Sequence, residues 1–149
     1  MATFEKDRNA VTQPLVDVVD DDAPVLLALS RMLRSWGMRV RTYTSGESYL
    51  AAAHQAPIAD CLILDVQMPG MNGLEVQERL KKTVPILPII FITGHEVDGT
   101  EERALQAGAI GFLHKPFSDE VMVAMIRQCL QGGGQPPGPD ADAVPDSNV

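Results

Sequence analysis

The chain has 149 residues, 45% of them hydrophobic, with 12 basic against 20 acidic side chains and a formal charge of −8. That length suits one domain with a core of its own, and an acidic balance without any basic block offers nothing to nucleic acid or to an anionic membrane. The longest apolar runs are too short to span a bilayer, and the polar start around Glu5, Lys6, Asp7 and Arg8 lacks a signal-peptide core, so the expected location is cytoplasmic.

Residues 1–13 are polar and aperiodic and read as a flexible leader. From Pro14 onward, apolar strand-like runs alternate with helical stretches, the pattern of βα units around a parallel sheet. Residues 15–20 predict a first strand. Asp17 interrupts it and is expected toward the domain surface, at some cost in stability. A helix over residues 24–36 follows, with Asp22 as N-cap, Pro24 in the first turn, Gly37 as stop, and Val25, Leu26, Leu29, Met32 and Leu33 as its buried stripe. Trp36 is expected to pack at its end.

Residues 39–43 alternate, as a half-exposed edge strand does, and Ser45 caps a second helix that reaches about His54. The continuous apolar run Cys61, Leu62, Ile63 and Leu64 marks residues 60–65 as a central strand, covered on both faces. A loop through Met68, Pro69, Gly70, Met71, Asn72 and Gly73 leads to a third helix that begins at Leu74 and must stop before Pro85. Residues 88–93 form the fourth strand and residues 100–106 the fourth helix, with Gly108 as its stop and Gly99 as a poor start. The fifth strand is short, residues 110–113. Ser118 caps the last helix, which runs through Leu130 with Val121, Met122, Met125, Ile126 and Cys129 at helical spacing. Met122 and Met125 are expected in the core, a partner contact being the alternative. Cys61 and Cys129, far apart and without metal-type spacing, are expected to be buried or half-buried thiols. The domain thus spans 14–131, and the Gly-, Pro- and Asp-rich residues 132–149 read as a disordered tail.

Asp20 and Asp21, Asp65, Thr93 and Lys115 each follow an apolar strand, so a parallel sheet gathers them at one edge. Adjacent aspartates call for a hard cation, and magnesium, which takes oxygen ligands and keeps several waters, fits them. Asp21 could bind it directly and Asp20 through water, with Asp65 and the backbone carbonyl of Gln67 completing the site. A carboxylate at Asp65 can form an acyl phosphate, while Lys115 supplies a mobile positive charge and the Thr93 hydroxyl a hydrogen bond to a phosphoryl oxygen. Read singly, Asp20, Asp21 and Asp22 are equally loop residues, one of them a helix cap, and Thr93 an ordinary strand-end threonine.

The segments Val18-Val19-Asp20-Asp21-Asp22, Leu62 to Gly73, Ile90-Phe91-Ile92-Thr93-Gly94-His95 and Lys115-Pro116-Phe117 resemble the receiver domain of two-component response regulators, above all the nitrogen-fixation regulator type. The resemblance covers about residues 14–131. It implies a flavodoxin-like (βα)5 fold, a doubly wound parallel sheet of strand order 2-1-3-4-5. It implies that Asp65 is phosphorylated by a sensor histidine kinase or a histidine phosphotransfer protein, with Mg2+, or Mn2+ in its place, held by Asp20, Asp21, Asp65 and the Gln67 carbonyl. By the same resemblance Thr93 and Phe112 form a switch pair, and Lys115-Pro116 is a cis peptide. Gln67 and His95 stand where phosphoryl lifetime is set. The output passes through the fourth helix, fifth strand and fifth helix to a protein target or a second copy.

Two rivals remain. A phosphatase of the haloacid dehalogenase class also phosphorylates an aspartate after its first strand, but Pro24 stands where its motif wants a small hydroxyl or branched residue, and a cap domain is missing. The other rival is the receiver part of a DNA-binding regulator without its output domain. No helix-turn-helix follows residue 131, so direct nucleic acid binding by this chain is not expected.

Overall fold

A computed structural model describes residues 13–131 except 56 and 96. Nearly all of the expected leader and the whole of the expected tail lie outside the described residues. Five strands, β1 (Leu15–Val19), β2 (Arg39–Tyr43), β3 (Cys61–Asp65), β4 (Ile89–Thr93) and β5 (Gly111–His114), pair in parallel in the order β2-β1-β3-β4-β5. Between and after them come α1 (Ala23–Ser35), α2 (Gly46–Ala52), α3 (Gly73–Thr83), α4 (Thr100–Gln106) and α5 (Asp119–Gln131). The flavodoxin-like order and the central place of β3 follow the expectation, and β2 is an edge strand.

The two-residue period of the strands sorts their side chains onto two faces. Val16, Val18, Ile63, Ile90 and Ile92 meet Leu26, Leu29 and Leu33 of α1 and Met122 and Ile126 of α5. Leu15, Val19, Leu62, Leu64 and Phe91 meet Tyr49 of α2, Val76 and Leu80 of α3 and Ala104 of α4. Met122 is fully buried and the Met125 side chain lies directly over Gly111, leaving no room there for a Cβ. Val121, by contrast, is 46% exposed; Val123 takes the buried place expected of it. Arg127 of α5 stacks on the Trp36 ring at 5.4 Å, joining the ends of α1 and α5.

Caps fix the helix starts. Asp22, Ser45 and Ser118 accept from the backbone N–H groups of Val25, Ser48 and Val121. Asn72 and Glu75 form a reciprocal capping box at α3, a pairing the sequence reading passed over. The start of α4 is different: Gly99 has φ +84° and supplies no side-chain cap.

Asp17 corrects the sequence reading. It is fully buried. β1 places it opposite Arg41 of β2, whose Nε and Nη2 donate to its two carboxylate oxygens at 2.8 and 3.0 Å, and the Tyr49 hydroxyl donates to Oδ2 at 2.9 Å. Bidentate pairing and a buried phenol satisfy a charge that an apolar strand alone would reject.

Candidate functional site at the strand ends

The carboxyl edge of the sheet collects the expected residues. β1 ends at Val19, and Asp20 turns inward, fully buried, its Oδ1 accepting the backbone N–H of Asp22 at 2.9 Å. Asp21 points to solvent, and Asp65, the last residue of β3, is buried. Carboxylate oxygens of Asp20, Asp21 and Asp65 lie within 4.8 Å of one another. At an effective dielectric constant of about 20, two carboxylates at that spacing repel by on the order of 3 kcal/mol. Lys115 offsets part of this: its Nζ donates to Asp20 Oδ2 at 2.9 Å and stands 3.7 Å from Asp65 Oδ1.

The balance shows in the acidities. Burial, with the charges of Asp20 and Asp21 added, pushes Asp65 up to about 7, against the opposing pull of Lys115 and a hydrogen bond from the Gln67 backbone N–H. Burial alone would lower Lys115, but its hydrogen bond to Asp20 and the charge of Asp65 raise it, so it stays an ammonium. The Lys115–Pro116 peptide is cis, and the Lys115 backbone N–H donates to the Thr93 carbonyl at 2.8 Å, which ties the end of β5 to that of β4.

Thr93 is buried, and its hydroxyl is engaged with the following loop. Oγ1 donates to the His95 carbonyl at 2.7 Å and accepts the His95 N–H at 3.2 Å. Phe112 is half-buried on β5 opposite Phe91, two positions before Thr93, and its ring lies 6.0 Å from the Phe91 ring and 5.4 Å from that of His114, the residue paired with Thr93. Gln67 is exposed and adjoins Asp65 through its backbone; the His95 side chain lies in a cleft under α4, apart from the carboxylates.

Gly73 sets how closely α3 approaches this edge. Its N–H donates to the Val66 carbonyl at 2.7 Å, and a Cβ would overlap the Asp65 carbonyl oxygen. Sequence reasoning gave this glycine only a turn. It also missed that Cys61 and Cys129 meet: the Cys61 thiol is raised well above the usual range by its hydrogen bond with Cys129 and by burial, and Cys129 is lowered by the same bond.

A doubly wound sheet that gathers three carboxylates and an ammonium at its carboxyl edge defines a phosphoacceptor-type receiver fold. The chain belongs to the response regulator family whose model is described as the response regulator receiver domain, which matches residues 16–127. It is 43% identical to the response regulator protein TmoT of Ectopseudomonas mendocina over 80% of this chain and 54% of that one. With the transcriptional regulatory protein FixJ of Bradyrhizobium diazoefficiens it shares 33% identity over 80% of this chain and 58% of that one. FixJ thus stands among several response regulators that the chain resembles, and the narrower type is not singled out. A response regulator receiver protein from Burkholderia phymatum superposes with a TM-score of 0.70 at 48% identity, covering 79% of this chain and 95% of that one. The chain spans about half the length of the curated relatives it matches, 54% for TmoT. Membership of this family sets the dehalogenase-class reading aside, and the domain is a signalling switch of the phosphoacceptor kind. Among the described residues, no helix is long and apolar enough to cross a membrane.

Proposed function

We propose that Asp65 takes a phosphoryl group from a phosphohistidine of a sensor kinase or phosphotransfer protein in the cytoplasm and holds it as an acyl phosphate. The observation that carries this is Lys115 Nζ between Asp20, at 2.9 Å, and Asp65, at 3.7 Å, beside three clustered carboxylates. An all-oxygen cluster with more negative charge than one lysine balances suits Mg2+ or Mn2+, held by Asp20, Asp21, Asp65 and the Gln67 carbonyl. When bound, such an ion lowers the cost of the charge that develops on the transferred group.

The remaining work falls to side chains. An Asp65 carboxylate oxygen bonds to phosphorus as the bond to the donor nitrogen breaks, and Lys115, able to reach the same oxygens, offsets the negative charge. Thr93 then exchanges its His95 bonds for a phosphoryl oxygen, and Phe112 moves with it. Gln67 and His95 tune the lifetime of the group. Chemistry by the chain alone is slow self-phosphorylation and hydrolysis, so the domain is a signal store, not an enzyme in the usual sense. An apolar groove of about 310 Å³, lined by Val25, Leu29, Met32, Pro116 and Phe117 beside Lys115, offers the donor protein a seat next to the acceptor.

The test is incubation with acetyl phosphate and Mg2+, followed by intact mass. A gain of one phosphoryl group that vanishes in Asp65→Asn is the expected result; a gain that persists in Asp65→Asn refutes the acceptor. Coverage of about half of TmoT, 54%, favours a second reading, in which the chain is the receiver part of a DNA-binding regulator. Specific DNA binding after phosphorylation by a longer protein in which this receiver is joined to an output domain, and not by this chain alone, would support that reading against a receiver that acts by protein contact.

A further inference from the structure

The two cysteines of the chain, Cys61 and Cys129, are both buried, and neither belongs to the site at the strand ends. Cys61 opens β3 and shares the sheet face of Ile63, the face that Met122 and Ile126 of α5 cover. Cys129 stands one turn beyond Ile126 on the same buried stripe, so the end of α5 packs against the start of β3. There the Cys61 thiol donates a hydrogen bond to the Cys129 sulfur. With two cysteines in the whole chain, each has the other as its sole intramolecular thiol partner.

We infer that Cys61 and Cys129 form a modification site, at which hydrogen peroxide converts the folded chain to a reversible disulfide that links the start of β3 to the last turn of α5. The Cys129 sulfur, its proton given to solvent, attacks one peroxide oxygen; the O–O bond breaks, leaving a sulfenic acid and a hydroxide that the released proton neutralises. The Cys61 sulfur then bonds to the sulfenic sulfur. The S–O bond breaks, and the Cys61 proton leaves with that oxygen as water. In sum, two thiols and one peroxide give one disulfide and two waters, the sulfurs losing the two electrons that the peroxide gains. Thiols in a reducing compartment return the pair to its starting state, as for other transient disulfides.

The surroundings divide the roles. The shared hydrogen bond lowers Cys129 and, together with burial, raises Cys61, so Cys129 supplies the attacking thiolate and Cys61 resolves it. Cys129 also lies in the last turn of its helix, where local opening admits an oxidant little larger than water, whereas Cys61 is fully buried in the central strand. The ring so closed runs from residue 61 to residue 129, a long loop whose closure takes conformational freedom from the unfolded chain. Asp65 lies at the other end of β3, about 13 Å away at 3.3 Å per residue. The bond therefore fastens the end of α5 to the centre of the sheet and leaves the carboxylates alone.

For the test, the full chain is treated with hydrogen peroxide in native buffer, quenched with catalase, unfolded in N-ethylmaleimide and weighed intact. Expected is a product two hydrogens lighter that takes up no maleimide, regains both thiols in dithiothreitol, and yields on non-reducing digestion a peptide pair joined through Cys61 and Cys129. The linked form should show a higher urea midpoint and the same uptake of a phosphoryl group from acetyl phosphate as the reduced form. Dimedone should trap a sulfenic acid at Cys129 in Cys61→Ser and none at Cys61 in Cys129→Ser. Thiols that stay reduced in the native chain at peroxide doses that oxidise it in urea would overturn the site. So would disulfide dimers in place of the internal link, or a lower urea midpoint for the linked form. Dimedone capture at Cys61 and not at Cys129 would overturn the order of attack, and acetyl phosphate uptake lost on linking would overturn the separation from Asp65.

Discussion

Replacing Arg41 by Met tests whether the buried Asp17 is held by its partners. The substitution removes both guanidinium hydrogen bonds and leaves a fully buried carboxylate with the Tyr49 hydroxyl as its remaining side-chain donor. Breaking a buried ion pair from one side costs about 3–5 kcal/mol. Arg41 keeps 30% of its side chain in water, so screening places the expected loss near the lower end, about 3 kcal/mol. Tyr49→Phe removes one charge-assisted bond and should cost about 1.5 kcal/mol. Because both act on one carboxylate, the double variant should depart from additivity by roughly 1 kcal/mol. An apolar trio, Asp17→Leu with Arg41→Met and Tyr49→Phe, should recover most of the loss, since no unpaired charge remains buried. Urea denaturation followed by circular dichroism, with a double-mutant cycle, measures all four. An Arg41→Met variant within about 0.5 kcal/mol of the parent, or strictly additive single effects, would refute the account.

The raised Asp65 pKa has a definite sign. A carboxyl whose folded value, about 7, exceeds its unfolded value contributes stability at pH below about 4 that is lost as pH rises through 7, so metal-free Asp65→Asn should gain on the parent by about 1–3 kcal/mol at pH 8, as calorimetry can read. Lys115→Ala removes the charge that lowers Asp65 and should move its titration above about 7, which carbon-13 NMR of the side-chain carboxyl would follow; an unmoved midpoint contradicts the pairing. Gly73→Ala forces a methyl into the Asp65 carbonyl and should cost about 2–3 kcal/mol by chemical denaturation. The buried Gln77 side chain donates from Nε2 to the Ala104 carbonyl at 3.0 Å, so Gln77→Leu should lose about 1 kcal/mol and speed hydrogen exchange in α4 more than in α3.

The strand-end residues were legible because a parallel sheet turns position in the chain into position in space: Asp20, Asp65, Thr93 and Lys115 each follow an apolar run. Asp17 was misread because its partners sit 24 and 32 positions away, one on a neighbouring strand and one on a helix. The register Asp17↔Arg41 was the available signal, and it requires knowing which strands are neighbours. Asn72 and Glu75 did show the spacing of a capping box, but the surrounding glycines drew the reading to a loop. Val121 fits a helical stripe as well as Val123 does, and only the angle at which α5 meets the sheet separates them. The direction of the Thr93 hydroxyl is a rotamer choice, which composition and spacing do not encode.

The Gln77 amide fastens α4 near one end only. Its acceptor, the Ala104 carbonyl, also takes the Ala109 N–H at 3.0 Å, so the helix is pinned toward its final turn, whereas its start at Gly99 has backbone hydrogen bonds and no side-chain cap. A helix of seven residues is about 10 Å long at 1.5 Å per residue. The arm from Ala104 to Gly99 is about 7 Å, so rotating about that fulcrum by roughly 10° sweeps the free end through about 1 Å, while the fulcrum itself hardly travels. A short helix held in this way has the geometry of a lever with its bearing at Ala104.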